Sequence, residues 1–156
     1  MTIHTKLQEL GLTLPAAPKP VAAYIPFVQT GNLLFVSGQL PLSEGKLIAT
    51  GIVPSQVSLE TAQKAAAQCI LNGLAIVGDA LGGDWSRLVR IVKLGVFVAS
   101  DASFTDQAKV ANGASELLGS LLGEQGRHAR AAVGVASLPL GAPVEVDLIV
   151  EIRSAG

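Results

Sequence analysis

The sequence predicts an α+β fold, one mixed β-sheet with two α-helices packed on one face. Three observations carry this. Two long segments, 58–81 and 106–123, place apolar residues at helical spacing. Short runs rich in Val, Ile, Leu and Phe stand before, between and after them, in the order β-β-(β)-α-β-α-β-β. Finally, 49% of the 156 residues are hydrophobic and only 15% charged, ample for a sizeable core.

The elements follow in order. Residues 2–11 form a short helix ending near Gly11, with Leu7 and Leu10 on one side, and Thr13–Pro20 is a Pro/Ala-rich extended connector. Tyr24–Thr30 and Leu33–Ser37 are strands joined by the two-residue turn Gly31-Asn32. The stretch 42–56 is a loop with a short strand near Leu47–Ala49. Ser58 caps the first long helix, with Glu60 in its first turn. Leu59, Ala62, Ala66, Cys69, Ile70, Leu74, Val77 and Leu81 make its apolar face, and Gly82-Gly83 ends it. Leu88–Ala99 is a strand apolar on both faces and interrupted by Arg90 and Lys93. Ser103-Phe104-Thr105-Asp106 resembles a capping box for the second long helix, whose inward residues are Val110, Ala111, Ala114, Leu117, Leu118, Leu121 and Leu122. The closing stretch 128–152 reads as a hairpin turning at Leu138–Pro143. Its returning strand alternates Val144, Val146, Leu148 and Val150 with Glu145, Asp147, Ile149 and Glu151. With two helices on one face, the other face needs cover, and partner subunits are the simplest.

Composition excludes several classes. The net charge is −1 with scattered lysines and arginines, so binding nucleic acid through a basic stripe is disfavoured. No apolar run approaches the roughly 20 residues of a membrane span, and the N-terminus has no secretory pattern. One cysteine, Cys69, forms no internal disulfide and reads as helix core. Together with His4 and His128 it makes no familiar metal site. An intracellular, cytoplasmic location is the expectation. Gly78–Gly83 lacks dinucleotide-loop spacing, and no Ser/His/Asp or Cys/His set stands out.

Four places invite chemistry. Arg130, heading an apolar strand, is a solvent charge or an arginine fork for a carboxylate. Glu145 is expected to face it across the hairpin, either as an exposed alternating glutamate or as a group that positions water and moves a proton. Tyr24, the sole tyrosine, is a core or interface aromatic, or lines a pocket. Ser37-Gly38-Gln39 is a strand-ending turn, or a place where a hydroxyl and backbone N–H groups receive a ligand oxygen, with Gly38 permitting close approach. His128 stands beside the turn, where a lone histidine is usually structural.

The segments TGNLLFVSGQLP, VKLGVFVASD and ARAAVGVASLPLGAPVEVDLIVEI resemble, in this order, the YjgF/RidA family, also named endoribonuclease L-PSP-like. The resemblance spans roughly residues 20–153, making 1–156 one domain with 1–20 as an extra N-terminal helix and linker. It implies a chorismate-mutase-like fold of the bacillus type, a homotrimer, and a site between subunits. The implied activity is hydrolysis of reactive 2-imino or enamine acids to 2-oxo acids and ammonia, without cofactor or metal. It places the carboxylate-binding arginine on Arg130 and the water-orienting glutamate on Glu145. Tyr24, Ser37, Gly38 and Asn112 are the implied substrate-binding residues. Ala22-Ala23-Tyr24 replaces the family's I/V-G-P-Y, His128 its proline and Ala132 its cysteine, which marks a divergent subgroup. Two other functions are weighed beside it. One is a non-catalytic trimer binding small carboxylic acids. The other, endoribonuclease action, is opposed by the charge balance and the missing histidine pair.

Overall fold

The computed structural model describes residues 2–18 and 23–155. A five-stranded mixed sheet runs in the order β1-β2-β7-β5-β6, built from β1 (Phe27–Thr30), β2 (Leu33–Gln39), β5 (Leu88–Ala99), β6 (Ala129–Val135) and β7 (Val144–Ile152). Helices α2 (Leu59–Ala80) and α3 (Gln107–Leu122) cover one face, so the α+β architecture is the expected one. A two-stranded ribbon, β3 (Leu42–Ser43) with β4 (Lys46–Leu47), stands apart, slightly earlier than the strand expected near 47–49.

The helices form where spacing and caps place them. The Ser58 hydroxyl accepts the Thr61 N–H at 3.1 Å, a cap worth about 1 kcal/mol. Every residue assigned to the apolar face of α2 is buried or packed against the core. Because α2 packs against both the sheet and its neighbour α3, Ala65, Leu71 and Ile76 are buried too. On α3, Val110, Ala111, Ala114, Leu118 and Leu121 are buried, with Leu117 and Leu122 partly so. The capping box is not made. Asp106 holds the N-cap with φ −97° and ψ 32° and makes no side-chain cap bond. Its carboxylate lies 3.5 Å from Lys109 instead. At the N-terminus, α1 (Ile3–Glu9) buries Ile3 and Leu7 beside α3, while Leu10 is exposed: the i, i+4 pair, not Leu7 with Leu10, makes the face. Residues 13–18 form no helix or strand, and Lys19 and Pro20 of the connector lie outside the described residues.

The β1–β2 turn is as expected, with Gly31 at φ +56°. Tyr24 precedes β1, which begins only at Phe27. The closing hairpin is not formed. β6 pairs in parallel with β5, Leu94 opposite Arg130, and β5 stands between β6 and β7. The cause is the crossover: α3 returns the chain to the same end of the sheet, so β6 must run parallel to β5. The 136–143 segment then carries the chain past the end of β5, where the Ala99 N–H donates to the Pro143 carbonyl at 2.9 Å.

Along β7, Val144, Val146, Leu148, Val150 and Ile152 point into the core, and Glu145, Asp147, Ile149 and Glu151 toward the uncovered face. That face also exposes Phe35 (42%) and Val133 (46%). Among the described residues, no helix is long and apolar enough to cross a membrane.

Candidate functional site

Arg130 shares the helix-side face with Leu94, its buried partner in the parallel pair. Because β6 is the sheet edge, its guanidinium is exposed, yet it is held. Nη1 donates to Asn112 Oδ1 at 2.9 Å and to Ser115 Oγ at 3.0 Å. Residues 112 and 115 are three apart on α3 and therefore share one face. Ser115 Oγ lies 2.8 Å from His128 Nε2, and His128 Nδ1 lies 2.6 Å from the Gly126 carbonyl oxygen. Among the described residues, Nε and Nη2 of Arg130 make no hydrogen bond.

Glu145 belongs to a second group. It lies opposite Phe97 of β5, on the face away from the helices. Beside it, the pairing of β2 with β7 shifts register between Val36 and Gln39. A Cβ on Gly38 would stand 2.9 Å from both Cδ and Oε2 of Glu145, so the missing side chain lets the carboxyl lie against the β2 backbone. Ser37 Oγ donates to the Ile25 carbonyl at 2.8 Å, which uses its proton and leaves its lone pairs without a donor among the described residues. Tyr24, 61% exposed, lines a cleft of about 140 Å³ with Pro26, Gly38 and Leu40.

Arg130 and Glu145 therefore do not face each other within one chain. They leave opposite faces of the sheet with β5 between their strands, because the alternation that buries Val144 and Val146 turns Glu145 outward. The expected contact across a hairpin is overturned. The remaining candidates fall into two sets, Arg130 with Asn112, and Glu145 with Gly38, Ser37 and Tyr24 nearby.

Burial raises the Glu145 carboxyl above its ordinary range, and the nearby Asp147 charge adds to this. Asp147 is raised by burial too, opposed by the Gly95 N–H and by Lys93. A glutamate poised upward is suited to taking and returning a proton. Cys69 is buried beneath the sheet, and burial pushes its thiol far up, which fits inert core. Sequence reasoning missed Ser115 and Asp147. The first is signalled by its three-residue spacing from Asn112, the second by its alternation with Glu145.

The sequence signature of the Endoribonuclease L-PSP family matches residues 14–152. The chain belongs to this family, the YjgF/RidA family. Among L-PSP relatives, Protein TCP17 of Trypanosoma cruzi is 48% identical, over 97% of this chain and 95% of its own. A protein of Dermatophagoides farinae named 2-iminobutanoate/2-iminopropanoate deaminase is 30% identical, over 91% and 95%. An Agrobacterium tumefaciens crystal structure of unknown function is 53% identical with TM-score 0.90, over 97% of this chain and 92% of that one. The Escherichia coli TdcF structure, with bound serine, is 26% identical with TM-score 0.63, over 88% and 94%.

Proposed function

We propose that this chain hydrolyses 2-imino or enamine acids to 2-oxo acids and ammonia, in a cleft between two copies of a homotrimer. The observation that carries the reading is Arg130: an exposed guanidinium at a sheet edge, already oriented through Nη1, with two nitrogens free of partners among the described residues. Such a fork suits a carboxylate. The D. farinae relative's name supports the imine, and the serine bound to TdcF supports a small amino-acid-like carboxylate. Because Glu145 lies on the opposite face, the glutamate that serves a given Arg130 comes from a second copy.

The chemistry needs little beyond positioning, because a protonated imine is already electrophilic. Arg130 holds the carboxylate, and Tyr24, Ser37, Gly38 and Asn112 line the pocket. Water adds to the imine carbon while its proton passes to the Glu145 carboxylate. Glu145 returns that proton to the nitrogen of the tetrahedral adduct. The C–N bond then breaks with its electron pair on nitrogen, and the hydroxyl proton goes to the departing ammonia as the carbonyl forms.

The test generates 2-iminobutanoate in situ and follows its conversion to 2-oxobutanoate and ammonia. The wild-type chain is expected to accelerate it, and Arg130→Ala to lower kcat/KM by about a hundredfold or more. Equal rates for the two would sink the reading. Saturable binding of 2-oxobutanoate, lost in Arg130→Ala but without turnover, would instead favour the binding-only trimer.

A further inference from the structure

We propose that Ser115 and His128 are positioning residues that decide which edge of the Arg130 guanidinium meets the ligand carboxylate, leaving the Nε–Nη2 edge as the docking fork. The inference rests on the reading of Arg130 as the carboxylate anchor and adds a mode of docking to it.

A guanidinium carries five N–H bonds, two on each Nη and one on Nε. A carboxylate can take a parallel pair end-on, from Nη1 and Nη2, or side-on, from Nε and Nη2. Here Nη1 donates to two acceptors, Asn112 Oδ1 at 2.9 Å and Ser115 Oγ at 3.0 Å. Both of its hydrogens are engaged, and the end-on pair is lost. The side-on pair remains, with Nε and Nη2 free of partners among the described residues.

The Ser115 hydroxyl could itself donate or accept, and His128 sets the direction. A carbonyl oxygen only accepts, so His128 Nδ1, 2.6 Å from the Gly126 oxygen, carries the proton. In the neutral ring Nε2 is then an acceptor, 2.8 Å from Ser115 Oγ, and takes the single hydroxyl proton. The lone pairs of Ser115 are left for Arg130. The polarity runs one way throughout, from Arg130 to Ser115 to His128 to the Gly126 carbonyl. Without His128 the hydroxyl proton is free to turn toward the guanidinium, and the second hold on Nη1 is lost. The proline that the family resemblance puts at this position offers neither ring nitrogen, so the device is a property of this chain's departure from that pattern.

The experiment measures 2-oxobutanoate binding to the full chain by calorimetry, for wild type, Arg130→Ala, Ser115→Ala, His128→Ala and His128→Gln, with melting temperatures alongside. Ser115→Ala and His128→Ala are expected to weaken binding by about tenfold. His128→Gln, whose amide oxygen replaces the acceptor Nε2, recovers most of the loss. On the wild-type chain, ¹⁵N NMR should show the Nδ1–H tautomer of His128. Added 2-oxobutanoate should shift the Arg130 Nε–H resonance. If Arg130→Ala abolishes binding while Ser115→Ala and His128→Ala bind as wild type, this inference fails and the anchor reading stands. If Arg130→Ala binds as wild type, or the wild type does not bind, the anchor reading fails and this one with it. An Nε2–H tautomer, or an unmoved Nε–H resonance in the ligand-bound chain, overturns the positioning role even where a variant folds poorly.

Discussion

Glu145 and Asp147 stand two residues apart on the same face of β7, each half-withdrawn from water. Burial raises both carboxyls, and the Asp147 charge raises Glu145 further. A carboxyl raised on folding favours the folded state when protonated. That contribution is full below the unfolded value and is lost as pH rises through the raised folded value. The double variant Glu145→Gln/Asp147→Asn keeps the shapes and removes both charges. As pH rises from about 4, the ordinary carboxylate value, towards neutrality, wild type should therefore lose melting temperature that the variant retains. Parallel melting curves over that window would show that neither carboxyl is shifted by folding. The same pair shows what single residues disclose in sequence. Glu145 attracts notice through its expected place across from Arg130 and then through the family resemblance, whereas Asp147 differs from it only by two positions in an alternating strand. Its environment is set by Gly95 and Lys93 on a neighbouring strand, a relation that depends on register and not on local pattern.

Among the elements, α2 and α3 pack so closely that side-chain volume at their contact is decisive. A methyl on Gly113 would overlap the backbone carbonyl of Gln63 on α2, and main chain cannot swing aside as a flexible side chain would. Gly119, also inside α3, has no atom within 4 Å of where a Cβ would stand. Gly113→Ala should therefore destabilise by about 2 kcal/mol or more through overpacking. Gly119→Ala should gain up to about 1 kcal/mol from helix propensity. Urea unfolding of both variants tests this, and a stabilised Gly113→Ala would refute the close contact. Both helices were legible because 3.6-residue spacing is local, and so was the Gly31 turn. The pairing of β6 is not legible locally, because two apolar runs flanking a Pro/Gly turn look alike whether or not a third strand lies between them. The order strand–helix–strand from β5 through α3 to β6 does hold the correction, since adjacent strands joined by a helical crossover run parallel. The same ambiguity hides how the candidate site is divided. Arg130 and Asn112 meet because α3 packs beside the parallel edge strand, while Arg130 and Glu145 are parted by it.

At the scale of the whole molecule, the sheet has, among the described residues, helices on one face only and exposes Phe35, Val28 and Val133 on the other, beside Glu145 and Asp147. Such a face is suited to burial against further copies. If a site takes Arg130 from one copy and Glu145 from the next, the two residues can be disabled in different chains without disabling every site. Arg130→Ala and Glu145→Gln, each expected to be inactive alone, would then complement each other. An Arg130→Ala chain still offers its glutamate, a Glu145→Gln chain its arginine, and an interface that joins them in the right order has both. Random mixing at equal amounts in a cyclic trimer makes about a quarter of the interfaces intact. Co-refolding the two variants and assaying 2-iminobutanoate hydrolysis should therefore restore about a quarter of the wild-type rate per total protein. Separately folded variants, combined without subunit exchange, should restore none. A site contained in one chain could not be rescued at all, because every chain in the mixture lacks one of the two groups. A flat, inactive co-refolded sample that still contains mixed trimers, assayed beside active wild type, would thus reject the shared site.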